Sequence, residues 1–345
     1  MKKNLFKLLC LLMVTILIAA CGAKETAKNE SSGSSSNESG KLTYDELVEK
    51  AKEEGELVIY SSDSPELFSQ VEKKFEDTFG IDVKYTRASS GDSAQRVIAE
   101  HQSGKVQVDV IHVADSVIID DFKQKGYLEK VSYVAPENAD EANALSDGYK
   151  IPVRYNPAGI AYDSSVMDEP KSWEDLLKLD KGQFAIEDPA GLVTYVALLN
   201  TLRDKYGDDF LKEFGKKVTL YNSTPLVANN VVAKEITAGV TWAAVVKPLI
   251  QQGSTIKYTQ NLDVTGGVTL YQVLDSEAPH PNAALLFMNW IVTKDGQSIF
   301  NGNNMGATPF EGIEGVLQVP EGYVEVDYGR AQKERDEVLS LLKGE

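Results

Sequence analysis

Hydrophobic and polar positions alternate in two rhythms along most of this chain. Leu57-Val58-Ile59-Tyr60 is a short apolar run of the kind a strand buried on both faces makes. Leu67, Val71, Phe75 and Phe79 then recur every four residues, which marks one face of a helix that Gly80 closes. The unit repeats. Ile81 to Tyr85 reads as a strand, a helix carrying Ala94, Val97 and Ile98 ends near Gly104, and Val108 to Ile111 reads as a third strand. A helix precedes them: Thr43 to Glu46 has the capping-box pattern, and the helix runs to about Glu54 before Gly55. Strands alternating with helices about every 25 residues predict a parallel, doubly wound sheet, whose ligands sit outside the carboxyl ends of the strands.

Around Lys150 the rhythm changes. Ile151 to Pro157 is an extended, proline-limited segment, and Gly159 to Tyr162 is a further strand; together they predict a crossover into a second unit. That unit has a strand at Gln183–Ile186, a loop at Glu187–Gly191 and a helix from about Leu192 to Tyr206. A second loop at Tyr221–Pro225 precedes another helix, and Val240–Val246 reads as a buried strand. Gly266 to Tyr271 predicts a crossing back, and one helix over about Pro281–Phe300 rejoins the first unit. The expected fold is α/β: two doubly wound α/β domains joined by a two-strand hinge, with a ligand cleft between them. The first domain takes residues 41–152 plus about 266–300, and the second takes 153–265 plus about 301–345.

The start of the chain adds a location. Lys2, Lys3 and Lys7 precede an apolar stretch from about Leu8 to Ile18, which is too short for a membrane span and suits a secretory signal. It ends in Ile18-Ala19-Ala20-Cys21, which resembles a bacterial lipobox with Cys21 as the lipidated residue. The expectation is a signal peptide over 1–20 and a lipid anchor on the extracytoplasmic face of the membrane. A cell without an outer membrane fits the lysine-rich composition and the tether; a Gram-negative cell would place the protein in the periplasm. Residues 21–40 are polar and rich in Ser and Gly, so they predict a flexible linker with a reach of roughly 25 Å. Cys10 and Cys21 are the only cysteines. Cleavage and lipidation would leave no thiol for catalysis, redox work or a metal site. The net charge of −17 becomes about −20 once the leader's lysines are gone, which disfavours nucleic acid as a partner.

Several segments, taken in order, resemble the type II periplasmic binding proteins of bacterial ABC importers, in the solute-binding family that includes ferric-iron binders. They are Leu57 to Ser61, Phe75 to Ile81, Val108 to Asp115, Trp173 to Leu176 with Asp188-Pro189, and above all His280-Pro281-Asn282-Ala283-Ala284 through Phe287 and Trp290 to Gly296-Gln297. The resemblance implies a monomer without catalysis or cofactor. It would capture a small molecule by cleft closure and deliver it to a permease and its ATPase.

The candidate contacts are the loops at strand ends: Ser61, Ser62, Ser89, Ser90, Asp92, Asp115 and Ser116 from the first domain, and Asp188, Gly191, Thr194, Asn222, Ser223 and Thr224 from the second. Hydroxyls and helix-start N–H groups make a natural anion site, and Arg154, beside Tyr155 on the crossover, would add a paired donor. Ser and Asp in these places also serve as ordinary N-caps. Trp242 would stack on an organic ligand or pack between domains. Lys247, on the same segment, could reach an anion or simply face solvent. The expected ligand is a small organic anion such as a phosphonate, sugar phosphate or carboxylate. Ferric iron is the alternative, although Thr241-Trp242 stands where iron binders carry a tyrosine pair; Tyr155, Tyr195 and Tyr258 remain conceivable ligands. A cation held by Asp63, Asp92 and Asp115 comes third. His112 is expected to be a satisfied core residue and His280 a structural one. A sensory lipoprotein is the rival outside transport. An enzyme is disfavoured because no G-x-S-x-G, H-E-x-x-H, P-loop or G-x-G-x-x-G occurs.

Overall fold

The computed structural model describes residues 42–344. The expected signal peptide, Cys21 anchor and linker lie outside the described residues. Leu42 onward forms one compact unit.

The first half of this unit opens with α1 (Tyr44–Glu54), β1 (Glu56–Ser61), α2 (Pro65–Phe79), β2 (Asp82–Arg87), α3 (Ser90–Ser103), β3 (Val110–Val113) and α4 (Ser116–Lys125). Thr43 caps α1 through the expected reciprocal box with Glu46. β4 (Leu128–Glu129) and α5 (Ala139–Leu145) lead to β5 (Lys150–Tyr162). The second half holds a 3-10 turn (Trp173–Lys178), β6 (Phe184–Glu187), α6 (Val193–Tyr206), α7 (Asp208–Lys217), β7 (Thr219–Tyr221), α8 (Thr224–Val232), β8 (Ala238–Trp242), α9 (Ala243–Gln251) and β9 (Lys257–Thr259). β10 (Thr265–Asp275), α10 (Pro281–Ile291), α11 (Lys294–Phe300), β11 (Tyr323–Glu325) and α12 (Tyr328–Lys343) complete it.

The main sheet runs β2-β1-β3-β10-β5-β8-β6-β7. β5 and β10 lie antiparallel at its centre; each begins in one lobe and ends in the other. Four apolar clusters cover it, one on each face of each lobe. Leu57, Ile59, Phe75 and Phe287 anchor one face of the first lobe, and Tyr60, Val97, Ile111 and Phe122 the other. In the second lobe, Trp173, Phe184, Leu199 and Val240 form one layer, and Val227, Val231, Val246 and Ile256 the opposite one. Burial on both faces explains why these strands read as continuous apolar runs.

Several local expectations change. Ile151–Pro157 and Gly159–Tyr162 are one 13-residue strand. Pro152 is tolerated because it lies opposite the register shift between Leu270 and Tyr271, where the ladder is already interrupted. Val240–Val246 is not a single strand: it ends at Trp242 and turns into α9, since an apolar run of this length carries no period to separate strand from helix. The helix expected over Pro281–Phe300 breaks at Thr293. The Thr293 hydroxyl donates to the Trp290 carbonyl and accepts from the Gly296 N–H.

The 301–345 segment does not sit wholly in the second lobe. Phe310, Ile313 and Val316 pack in the first lobe, while Val326, Tyr328, Val338 and Leu341 pack in the second. The chain therefore crosses the junction a third time, beside β5 at Ala307 and beside β10 through β11. His280 and Asp109 fix the start of α10: the buried Asp109 carboxylate accepts from the Val58 N–H and from the N–H and Nδ1 of His280. The structural role expected for His280 matches this geometry. The α10 N-cap has no side-chain acceptor of its own, and Glu54 of α1 reaches across to accept from the N–H groups of Asn282 and Ala283 at 3.1 and 2.7 Å. Glu54→Ala is expected to cost about 1–2 kcal/mol in urea unfolding, the loss of a full helix cap.

Candidate functional site

β1 and β3 point their carboxyl ends away from the first lobe's far edge and towards the second, antiparallel to β10 as it arrives from there. β8 and β6 point back towards the first lobe, antiparallel to β5. The loops at these ends therefore approach the β5–β10 junction from opposite sides.

On the first lobe, the expected serines and aspartates divide into caps and free groups. Ser89 caps α3: its hydroxyl accepts from the Asp92 N–H at 3.1 Å and donates to the Asp92 carboxylate at 2.8 Å. Asp92 therefore stands in the first helical turn. Ser90 accepts from the Ala114 N–H, which ties the β2 exit to the β3 exit. Asp115 caps α4 through the Val117 N–H at 2.9 Å, and burial raises its pKa above the usual range. Ser61 is fully buried and exchanges hydrogen bonds with Asp63. Ser62 is exposed and Ser116 half-buried, and neither hydroxyl pairs with another side chain among the described residues.

The hinge differs most from expectation. Arg154, expected to offer a donor pair to the ligand, is directed into the protein. Its side chain is only 3% exposed, its Nε donates to Asn301 Oδ1 at 2.7 Å, and its other nitrogens meet Asp63 Oδ1 and the Phe300 carbonyl. The guanidinium also lies 3.9 Å from the centre of the Phe300 ring. Gly306 is what lets it fit, since a Cβ there would come within 2.6 Å of the Arg154 stem. Asp63 in turn belongs to the β1 exit loop, which Tyr85 holds by donating to the Asp63 carbonyl at 2.6 Å. The consequence is that Arg154 holds the β1 exit loop from behind.

Tyr155 faces the third crossing. Its ring packs 5.3 Å from that of Tyr323, whose hydroxyl pairs with Thr269 at 3.3 Å, and Tyr271 donates to Glu325 at 2.9 Å. Burial, with Glu325 nearby, pushes the Tyr271 and Tyr323 phenols well above their usual range, so they stay protonated. Neither β11 nor its partners were legible as a site, because no local pattern marks a three-residue strand.

On the second lobe, Asp188 accepts from the Ala190 N–H and receives the Gly191 N–H on its carbonyl, shaping the β6 exit. Thr194 pairs with the Tyr328 hydroxyl at 3.2 Å, and Ser223 caps α8 through the Leu226 N–H. Asn222 is exposed. Thr224 is buried and gives both its N–H and its hydroxyl to Glu187 Oε2. Its oxygen also meets the Tyr195 hydroxyl at 3.0 Å, and Tyr195 packs edge-on to Trp242 at 5.9 Å. Trp242 is half-buried. Sequence reasoning missed Glu187. The available signal was a carboxylate at the last position of a strand, just before a helix-start loop.

Two of the helix starts at these strand exits lack a side-chain cap. The N-caps of α2, α3, α4 and α8 are Ser or Asp with a side-chain bond; those of α6 and α9 are Leu192 and Trp242, without one. Tyr195 and Trp242 place these two starts side by side. Lys247, one turn into α9, lies over the Tyr258 ring at 5.9 Å, and no carboxylate pairs with it among the described residues. Tyr258 itself donates to the Pro157 carbonyl.

A two-lobed α/β molecule with a crossing-strand hinge and facing helix starts is a type II periplasmic binding protein fold. Residues 57–304 match the bacterial extracellular solute-binding protein family, and the chain belongs to that family. Its fold is that of iron-bound HitA from Pseudomonas aeruginosa, with a TM-score of 0.63 at 19% identity, covering 84% of this chain and 98% of that one. It is likewise similar to the periplasmic binding protein AfuA from Actinobacillus pleuropneumoniae with fructose-6-phosphate bound, with a TM-score of 0.61 at 19% identity over 83% and 97% of the two chains. The substrate-binding protein of an ABC transporter from Agrobacterium tumefaciens gives a TM-score of 0.69 at 16% identity, over 83% and 94%. An uncharacterized protein of Haemophilus influenzae is 24% identical over 268 residues, 72% of this chain and 76% of that one.

Proposed function

We propose that this protein is the substrate-binding lipoprotein of an ABC importer, anchored through Cys21, and that its cargo is a small organic anion. The observation that carries the ligand class is the pair of helix starts without a side-chain cap, α6 and α9, set side by side through Tyr195 and Trp242. First-turn N–H groups whose N-cap residue offers no acceptor favour an anion, and the helix dipole adds to this. Lys247 supplies a further positive charge, and Trp242 supplies a face for an organic body. Ser62, Ser116 and Tyr155 would close on the other side. Closure needs only that the ligand gain contacts in the closed state; no covalent step is involved.

Ferric iron is the weaker reading. Thr241-Trp242 stands where the iron binders that the chain resembles carry a tyrosine pair.

The test is native mass spectrometry of residues 41–345 purified without refolding, followed by thermal-shift screening. A bound organic anion, or a melting temperature raised by one, is the expected result, since a ligand of the folded state must stabilise it. An iron adduct with visible colour would overturn the anion assignment.

A further inference from the structure

Three helix starts of the second lobe open on the same edge, yet only one of them is closed by a carboxylate. Glu187 Oε2 accepts from the N–H of Thr224, at 2.8 Å, and from its hydroxyl. Glu187 Oε1 has no hydrogen-bond partner among the described residues. A fixed negative charge at the head of α8 repels any anion from that start.

The same carboxylate sets a direction. Glu187 can only accept, so the Thr224 hydroxyl must donate to it. The Thr224 oxygen then accepts from Tyr195, whose hydroxyl proton is thereby committed. The Tyr195 ring, held in this way, packs edge-on to the Trp242 ring at 5.9 Å. The chain of donors therefore runs one way, from Tyr195 through Thr224 to Glu187, with Trp242 packed against its first member. It joins β8, α6, α8 and β6, and Tyr195 and Thr224 in its middle are buried.

We infer that Glu187 is the selectivity residue of this site: it closes the α8 start to anions and, through the relay, positions Trp242 as an apolar wall, so that organic anions are taken over inorganic ones. The inference rests on the anion reading above and deepens it. An inorganic oxyanion needs only N–H groups and loses one of three possible seats. An organic anion places its charge at α6 and α9 and lays its body on Trp242.

The experiment uses calorimetric titration with two probes, fructose 6-phosphate and inorganic phosphate, on the full mature domain. The wild type is expected to prefer the sugar phosphate at least tenfold. Glu187→Gln removes the charge but keeps a carbonyl that can accept from Thr224. It should bind inorganic phosphate several-fold more tightly and change sugar-phosphate affinity less than threefold. Thr224→Val keeps the charge and cuts the relay. It should lose at least fivefold in sugar-phosphate affinity, leave phosphate unchanged and shift tryptophan emission, while Thr224→Ser should behave as wild type. If both Glu187→Gln and Thr224→Val leave the ratio of the two affinities at the wild-type value, the inference is wrong and the anion reading stands. If the wild type binds neither probe, the anion reading fails and the inference fails with it.

Discussion

Arg154→Met should destabilise the protein by about 3–5 kcal/mol in urea unfolding, the cost of leaving a buried charge without its partner. The Asp63 side chain is 9% exposed, and the Asn301 oxygen and Phe300 carbonyl lose their donor at the same time. Methionine keeps most of the volume, so the loss reads the ion pair and its hydrogen bonds and not a cavity. Adding Asp63→Asn should return part of the stability, because the stranded charge is then gone; a double mutant as unstable as the sum of the singles would show that the two groups are not coupled. Ligand affinity should fall less than stability, since the guanidinium faces inward. A variant of wild-type stability that had lost all binding would return Arg154 to the ligand.

The second large effect is on acid stability. His112, expected to be a satisfied core histidine, is fully buried with neither ring nitrogen hydrogen-bonded among the described residues. It stands among the rings of Phe68, Phe287 and Phe300. Gln272, opposite it on β10, also has an unpartnered oxygen. Burial pulls the His112 pKa from 6.5 down to about 4, with Asp63 opposing and Arg154 assisting. The folded state therefore disfavours the proton, and the unfolded chain takes it up first. This contribution is fully present above pH 6.5 and is lost as pH falls from 6.5 towards 4, by up to about 3 kcal/mol. His112→Leu removes that loss. Urea unfolding at pH 7.5 and 4.5 should show the wild type losing about 2–3 kcal/mol more than the variant on acidification. Equal losses would mean that His112 is hydrated or hydrogen-bonded in solution.

How much of this was legible depended on the range of the interactions. The α/β class, α1 with its capping box, the strand at Leu57–Tyr60 and the helix of Val193–Tyr206 follow from local periods and caps, which act within a few residues. The family resemblance through His280 to Gln297 was legible for the same reason: it is a contiguous pattern. The loops proposed to carry the site were legible as strand exits, but the hydrogen-bonding roles of the side chains within them were not. Ser89, Asp115 and Ser223 are caps, a local function that the same residue types serve whether or not a ligand is near.

The amino-acid sequence by itself determined the alternation of strands and helices, the helix boundaries at Gly55, Gly80 and Gly104, and the acidic surface, because each depends on neighbouring residues or on composition alone. Only the tertiary structure decided that Arg154 faces Asp63 and Asn301, that Glu187 accepts from Thr224, that neither ring nitrogen of His112 is hydrogen-bonded among the described residues, and that 301–327 crosses the hinge a third time. Arg154 and Asn301 are 147 residues apart, and Glu187 and Thr224 are 37 apart. Pairings at such separations leave no local pattern, since they are fixed by how the sheet is closed and not by the residues on either side.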